Sequence, residues 1–196
     1  MRMVNEIFSS LQGEGALTGT PAVFVRFSGC NLRCAFCDTR HNDGAPMTDQ
    51  QIIDQVNAYP LPRLVVLTGG EPSLWIDESF VAKLKSMTGK RVAIETNGTR
   101  PVPPSVDWIT LSPKTGMEGG DLESLTLTAC DELKVVYLGQ SLEQYATIQT
   151  QHRFLQPCYC HDPDRRRQNE QATVAAVMAH PQWRLSLQTH RILGIR

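Results

Sequence analysis

Short apolar runs alternate along this chain with stretches whose apolar positions recur at helical spacing. Residues 22–27, Ala-Val-Phe-Val-Arg-Phe, read as the first strand. Residues 64–67, Leu-Val-Val-Leu, are apolar throughout, as in a strand buried on both faces of a parallel sheet. Further strands are predicted at 91–95, 108–111, 132–137, 153–156 and 184–187. Thr48-Asp49-Gln50-Gln51 opens a helix with Ile52, Ile53 and Val56 on one face, ended by Pro60. Phe80, Val81, Leu84 and Met87 form the next helix face, closed by Gly89. Residues 141–149 look helical, as do residues from about 169 to 180. This alternation predicts an α/β fold with a mainly parallel sheet. A full eight-fold barrel usually needs about 250 residues. A chain of 196 therefore predicts one domain, 1–196, built as a shortened, partial (β/α) barrel. In such folds the chemistry gathers at the carboxyl ends of the strands.

Composition narrows the classes. Net charge is −1, which gives no electrostatic case for binding nucleic acid. The run Arg165-Arg166-Arg167 follows Asp162 and Asp164 and reads as a solvated loop. No window approaches 18 apolar residues, so no membrane span is expected. The N-terminal residues lack the apolar stretch of a signal peptide. Six cysteines in such a chain read as thiols or metal ligands rather than disulfides, and a cytoplasmic location is expected.

Three of those cysteines carry the most information. Cys30, Cys34 and Cys37 stand at C-x3-C-x2-C spacing, directly after the 22–27 strand, with Phe36 before the last. Half a zinc site or an ordinary buried set would use the same residues. Three thiolates are one ligand short of a closed tetrahedral site, and the run resembles the cluster loop of radical S-adenosylmethionine (SAM) enzymes. Thr68-Gly69-Gly70-Glu71-Pro72 follows the 64–67 strand. Its glycines permit close backbone approach, and its carboxylate could receive an ammonium group; alone it is equally a turn. After a cysteine loop it resembles the segment that holds the methionine amino group of SAM. Glu95-Thr96-Asn97-Gly98 reads as a ribose contact or simply a good turn. Ser112-Pro113-Lys114 offers a lysine that is either solvated or turned toward a ligand. Leu11-Gln12-Gly13-Glu14-Gly15 is a flexible loop or a set of exposed backbone donors with one carboxylate. Arg26 shares a strand face with Phe24, where an arginine needs a partner: a carboxylate-bearing ligand or an internal salt bridge. Asp38-Thr39 offers hard oxygen ligands suited to magnesium. Gln188-Thr189-His190 ends the last predicted strand near Arg196.

Together these segments resemble the 7-carboxy-7-deazaguanine synthase (QueE) family, from residue 5 to the end of the chain. Residues 11–15 and 188–190 separate that family from its radical SAM relatives. The resemblance implies a shortened radical SAM barrel that contracts 6-carboxy-5,6,7,8-tetrahydropterin to 7-carboxy-7-deazaguanine and ammonia, toward queuosine and other 7-deazapurines. It implies a Mg2+-dependent carbon–nitrogen lyase, a homodimer, with flavodoxin or ferredoxin as electron donor. Cys30, Cys34 and Cys37 would hold a [4Fe-4S] cluster. Phe36, Cys37, Asp38, Gly70, Glu71, Ser112, Pro113, Lys114, Gln156, Pro157, Cys158 and Tyr159 would contact SAM. Thr39 would meet magnesium. Leu11, Gln12, Gly13, Glu14, Arg26, Thr68, Gln156, His190 and Arg196, the last through its carboxylate, would hold the pterin.

The chain departs from that pattern at two extra cysteines, Cys158 and Cys160, beside His161. With Cys130 they could form a second metal site, but buried inert thiols are the better reading. The segment between Thr39 and the first helix is short, which implies a reduced substrate lid. Two rival functions use the same features. One is a radical SAM activase acting on a partner protein, for which residues 11–15 have no use. The other is a non-catalytic electron-transfer or metal-storage module, which leaves Glu14, Arg26 and His190 unexplained.

Overall fold

The computed structural model describes residues 1–37, 39, 43–120 and 123–196. Among the described residues nine strands form one open sheet in the order β3-β1-β2-β4-β5-β6-β7-β8-β9. The strands are β1 (Arg2–Leu11), β2 (Pro21–Phe27), β3 (Ala45–Met47), β4 (Leu64–Gly69), β5 (Arg91–Thr96), β6 (Trp108–Leu111), β7 (Glu132–Tyr137), β8 (His152–Pro157) and β9 (Arg184–Leu185). From β2 through β4 to β9 every neighbouring pair is parallel; β1 joins β2 and β3 antiparallel. The mainly parallel sheet expected from the sequence is therefore present, and it is extended by an antiparallel edge.

That edge corrects one expectation: β2 is not the first strand. The register of β1 against β2 shifts between Val4 and Glu6. A one-residue irregularity of this kind moves side chains to the opposite face. Val4 consequently packs with the outer core, while Phe8 stacks on Phe24 of the inner face at 5.1 Å. The broken alternation hides the strand from a period-two reading.

Helices cover the outer face. Helix α1 (Asp49–Asn57) begins at a capping box in which Thr48 and Gln51 each bond the other's backbone N–H. Helix α2 (Glu78–Thr88) starts at an Asp77 cap and ends at Gly89, whose φ is 64°. Both set their apolar faces on Val23, Val25, Val65, Leu67, Val92 and Ile94. Arg2 fixes their starts together, because its guanidinium pairs with Asp49 at 2.8 Å and Asp77 at 3.1 Å. Met87, expected on the α2 core face, is 44% exposed at the end of that helix.

Helix α3 (Pro163–Ala179) begins six residues earlier than its apolar spacing predicts. Asp162 caps the N–H groups of Asp164 and Arg165, and Pro163 occupies the first turn. Arg165, Arg166 and Arg167 thus lie in a helix, not a loop. Residues 141–149 form only a short 3-10 turn, Glu143–Tyr145. Gln149 is drawn instead into backbone bonds with Thr128 and Cys130, each 2.9 Å, which an α-helix does not allow. The final strand stops at Leu185, and a short helix α4, Thr189–Leu193, follows. Among the described residues no helix is long and apolar enough to cross a membrane.

Among the described residues the only α-helix beside the inner face is the short α4, whose His190 and Arg191 line its cavity. The amino-end half of that face is filled by Phe8, Ala22, Phe24, Leu64, Val66 and Ala93. Toward the carboxyl ends the inward positions become polar: Arg26, Thr68, Glu95, Lys134 and Gln156. Leu67 is fully buried in the outer core, so Leu67→Ala should cost about 2–5 kcal/mol in urea denaturation. Exposed Met87→Ala should change stability by less than about 1 kcal/mol in the same experiment.

Candidate active site

The polar half of the inner face opens into a cavity of about 510 Å³. Cys30, Cys34 and Cys37 line it from the loop after β2, together with Phe36 and Thr39. That loop is held from two sides. The N–H groups of Arg33 and Ala35 donate to the carbonyls of Gly119 and Glu118, at 3.0 and 3.2 Å. Gly70 approaches from the β4 exit, and its N–H and that of Glu71 donate to Phe27 and Gly29. A Cβ on Gly70 would sit 2.0 Å from the Gly29 carbonyl oxygen, so only glycine permits the approach. Burial pushes the thiols of Cys30 and Cys34 above their usual range, although the Lys114 ammonium partly offsets this at Cys34. Among the described residues no group of three or more His, Cys, Asp or Glu is arranged to hold a metal ion. The three thiols share the cavity without being drawn into such a group. Among the described residues none of the six cysteines is in a disulfide: Cys158 is buried at the cavity wall, and Cys130 packs against the outer core.

Glu71 is 1% exposed and serves the backbone. One oxygen accepts from the Thr96 hydroxyl at 2.7 Å and the Ser73 N–H at 3.0 Å; the other accepts from the Asn97 N–H at 2.7 Å. Asn97 in turn donates to Asn31 in the cysteine loop at 3.1 Å. The carboxylate beside the glycines thus ties β4, β5 and the cysteine loop together. Lys114 folds back onto the Ser112 carbonyl at 2.5 Å and hydroxyl at 2.9 Å. Burial lowers its pKa from the ordinary lysine range.

The loop after β1 enters the inner face from below. Gln12 donates to Glu95 at 3.0 Å, and the Ala16 N–H donates to Glu132 at 2.8 Å. Glu14 pairs with Lys134. The segment after β9 meets this loop: Gln188 donates to Glu14 at 2.8 Å, and Thr189 donates N–H and hydroxyl to the Gly13 carbonyl. A Cβ on Gly13 would fall 2.2 Å from the His190 ring, so glycine again allows the contact. These bonds bridge the open side between β1 and β9. Both backbone groups of Gln12 are bonded to residues 19 and 20, and Thr189 occupies both lone pairs of the Gly13 carbonyl.

At the rim Glu6 pairs with Arg26, Nε to Oε1 at 2.9 Å, and with Arg196. The Arg26 Nε is buried yet makes no aligned hydrogen bond. Both guanidiniums lie over the Phe8 ring, at 5.6 and 4.7 Å. Ser10 donates to the Arg196 carbonyl at 2.5 Å. Across the mouth Arg191 sits 3.8 Å over the Tyr159 ring. Buried Gln156 accepts from Ser186 at 3.0 Å.

Every described residue expected at the site lines this cavity except Pro113: Leu11 to Glu14, Arg26, Thr68, Gly70, Glu71, Ser112, Lys114, Gln156 to Tyr159, His190 and Arg196 join the cysteine loop. Asp38 lies outside the described residues. Sequence reasoning missed Glu6, Phe8, Gln188's bond to Glu14 and, above all, Lys134. The signal for Lys134 was available: Glu132 and Lys134 stand two apart in an otherwise apolar strand and so share one face.

Burial around Lys134 disfavours its charge, but Glu14, Glu95 and Glu132 outweigh that and raise its pKa. Glu14 also loses solvent, and Lys134 overcomes this to hold its carboxyl below the usual range. For Glu132 burial wins and the carboxyl is pushed up. A carboxyl raised in the folded state binds its proton longer than in the unfolded chain. Its contribution is therefore full below the ordinary glutamate range and is lost as pH rises through the folded value. Glu132→Gln removes this dependence, so the melting temperature of the variant relative to the parent should climb from pH 4 to pH 7. A constant difference across that range would refute the assignment.

The model of the radical SAM superfamily matches residues 24–118. The chain is 56% identical over 196 residues to the 7-carboxy-7-deazaguanine synthase of Bacteroides thetaiotaomicron, covering all of both chains. It is 40% identical over 215 residues to the enzyme of that name from Caulobacter vibrioides, covering 98% of each. The crystal structure of QueE from Escherichia coli superposes with a TM-score of 0.72 at 26% identity, covering 95% of this chain and 93% of that one. Full-length identity at this level, on a sheet that gathers the expected motifs into one cavity, shows that the chain belongs to the 7-carboxy-7-deazaguanine synthase family of radical SAM enzymes.

Proposed function

We propose that this chain contracts the ring of 6-carboxy-5,6,7,8-tetrahydropterin to 7-carboxy-7-deazaguanine with release of ammonia, as a magnesium-dependent lyase of 7-deazapurine biosynthesis. The observation that carries this reading is the full-length relationship to synthases of that name, together with the single cavity lined by nearly all the expected residues.

The donor set suits a [4Fe-4S] cluster. Three thiols from one loop open into the cavity, and that loop offers no fourth. Cys30, Cys34 and Cys37 would hold it and must lose their protons to do so. When bound, the cluster and SAM supply one electron and a carbon-centred radical able to take hydrogen from the substrate. Phe36 and the backbone of Cys37 and Asp38 would lie along SAM. Gly70, Ser112, Pro113, Lys114 and the segment 156–159 would complete that subsite. Glu71 supports it from beneath, since its carboxylate is bonded to Ser73, Thr96 and Asn97.

The pterin would lie between this subsite and the loop after β1. Its carboxylate suits the guanidinium of Arg26, which lines the cavity and is paired through Nε with Glu6. Thr39 would meet magnesium, which takes oxygen ligands and retains waters. Glu14, Gln12 and Gly13 would accept from or donate to the aminopyrimidine edge, with Thr68, Gln156, His190 and Arg196 completing the wall. The chain would act as a homodimer. Flavodoxin or ferredoxin would deliver the electron, in the cytoplasm.

Anaerobic turnover with a reconstituted cluster, SAM, reductant, magnesium and the pterin should yield 7-carboxy-7-deazaguanine by mass spectrometry. Deoxyadenosine without the deazapurine would overturn the substrate assignment. Cys34→Ala should lose iron and activity together. Thr39→Ala should raise the magnesium needed for half-maximal turnover by about tenfold, as for loss of one ligand-shell group, while reductive SAM cleavage persists. An unchanged magnesium response would refute that role.

A further inference from the structure

The site contains a buried cation to which the family motifs give no part. Lys134 projects from β7 into the inner face, and its side chain is 6% exposed. Its ammonium pairs with Glu14 and lies 3.3 Å from Glu95. Glu95 accepts from Gln12 at 3.0 Å and Thr68 at 2.9 Å; Glu14 accepts from Gln188 at 2.8 Å. One ammonium therefore links the loop after β1, the β4 exit, β5 and the segment after β9. Two half-buried carboxylates that share one ammonium repel each other and are costly to desolvate unless that cation stands between them. Without it they would take up protons or turn toward water.

We propose that Lys134 is a positioning residue for the substrate: it holds Glu14 and Glu95 as oriented acceptors for the N–H edge of the ring without touching the ring itself. This rests on the proposed pterin reading. It adds a specificity element, because fixed carboxylates favour a 2-amino ring over its 2-oxo analogue, which presents a carbonyl there.

The test is calorimetric titration of the cluster-loaded protein with oxidised 6-carboxypterin, a non-turning probe, and separately with SAM. Lys134→Met should weaken pterin binding by about tenfold or more and leave SAM affinity within about twofold. In a Glu14→Gln background the same substitution should add less than about threefold, because residues acting through one contact are not additive. Lys134→Arg, which keeps the charge, should recover part of the loss. If Lys134→Met does not fold, Lys134→Gln carries the same expectations. Wild-type pterin affinity in the neutral variant, an equal loss toward SAM, or full additivity with Glu14→Gln would overturn the inference. A parent protein that binds SAM but no pterin would instead overturn the substrate reading on which it rests.

Discussion

A sheet covered by helices on only one side must dispose of its other face by its own side chains, and the rest of this structure follows from how it does so. The amino-end half is closed by aromatic and aliphatic packing around Phe8 and Phe24. The carboxyl-end half is left open and polar, because each strand changes character as it climbs. On β2 the change is from Phe24 to Arg26, on β4 from Val66 to Thr68, and on β5 from Ala93 to Glu95. The boundary between the two halves is the floor of the cavity.

Placing charged groups there has a cost that the neighbours offset. Glu71, buried beside the glycine turn, is bonded on both oxygens, so the turn that approaches the cysteine loop is fixed rather than mobile. Lys134 plays the corresponding part on the opposite wall. The two hubs divide the cavity: one organises the cysteine loop, the other the loop after β1. A cofactor and a substrate placed between them would each meet walls set before either arrives.

Much of this was legible in the sequence, for physical reasons that differ by element. The buried strands announced themselves as apolar runs, and the motifs were found because each follows such a run. Strand β1 was illegible because its register shift breaks the period of two. The start of α3 was misread because Arg165 to Arg167 present no apolar spacing, although the Asp162-Pro163 cap signals a start independently of hydrophobicity. Residues 141–149 have helical spacing, but pairing of Gln149 with residues 128 and 130 overrides it. Lys134 is hidden because apolar residues define its strand, and the charges that share the inner face add no periodic apolar signal. The bonds that bridge β1 and β9 join residues more than 170 positions apart, and no local pattern encodes them.

An open sheet, unlike a closed barrel, keeps two unpaired rims, and exposed rims invite other chains to add strands. Here the outermost strands are the shortest. β3 has three residues with Pro46 at its centre, and β9 has two, the first an arginine. Proline supplies no N–H for pairing, and two residues give almost no length to template. The fold can thus leave its barrel unclosed, and its cavity accessible, while offering little main chain for runaway edge-to-edge assembly.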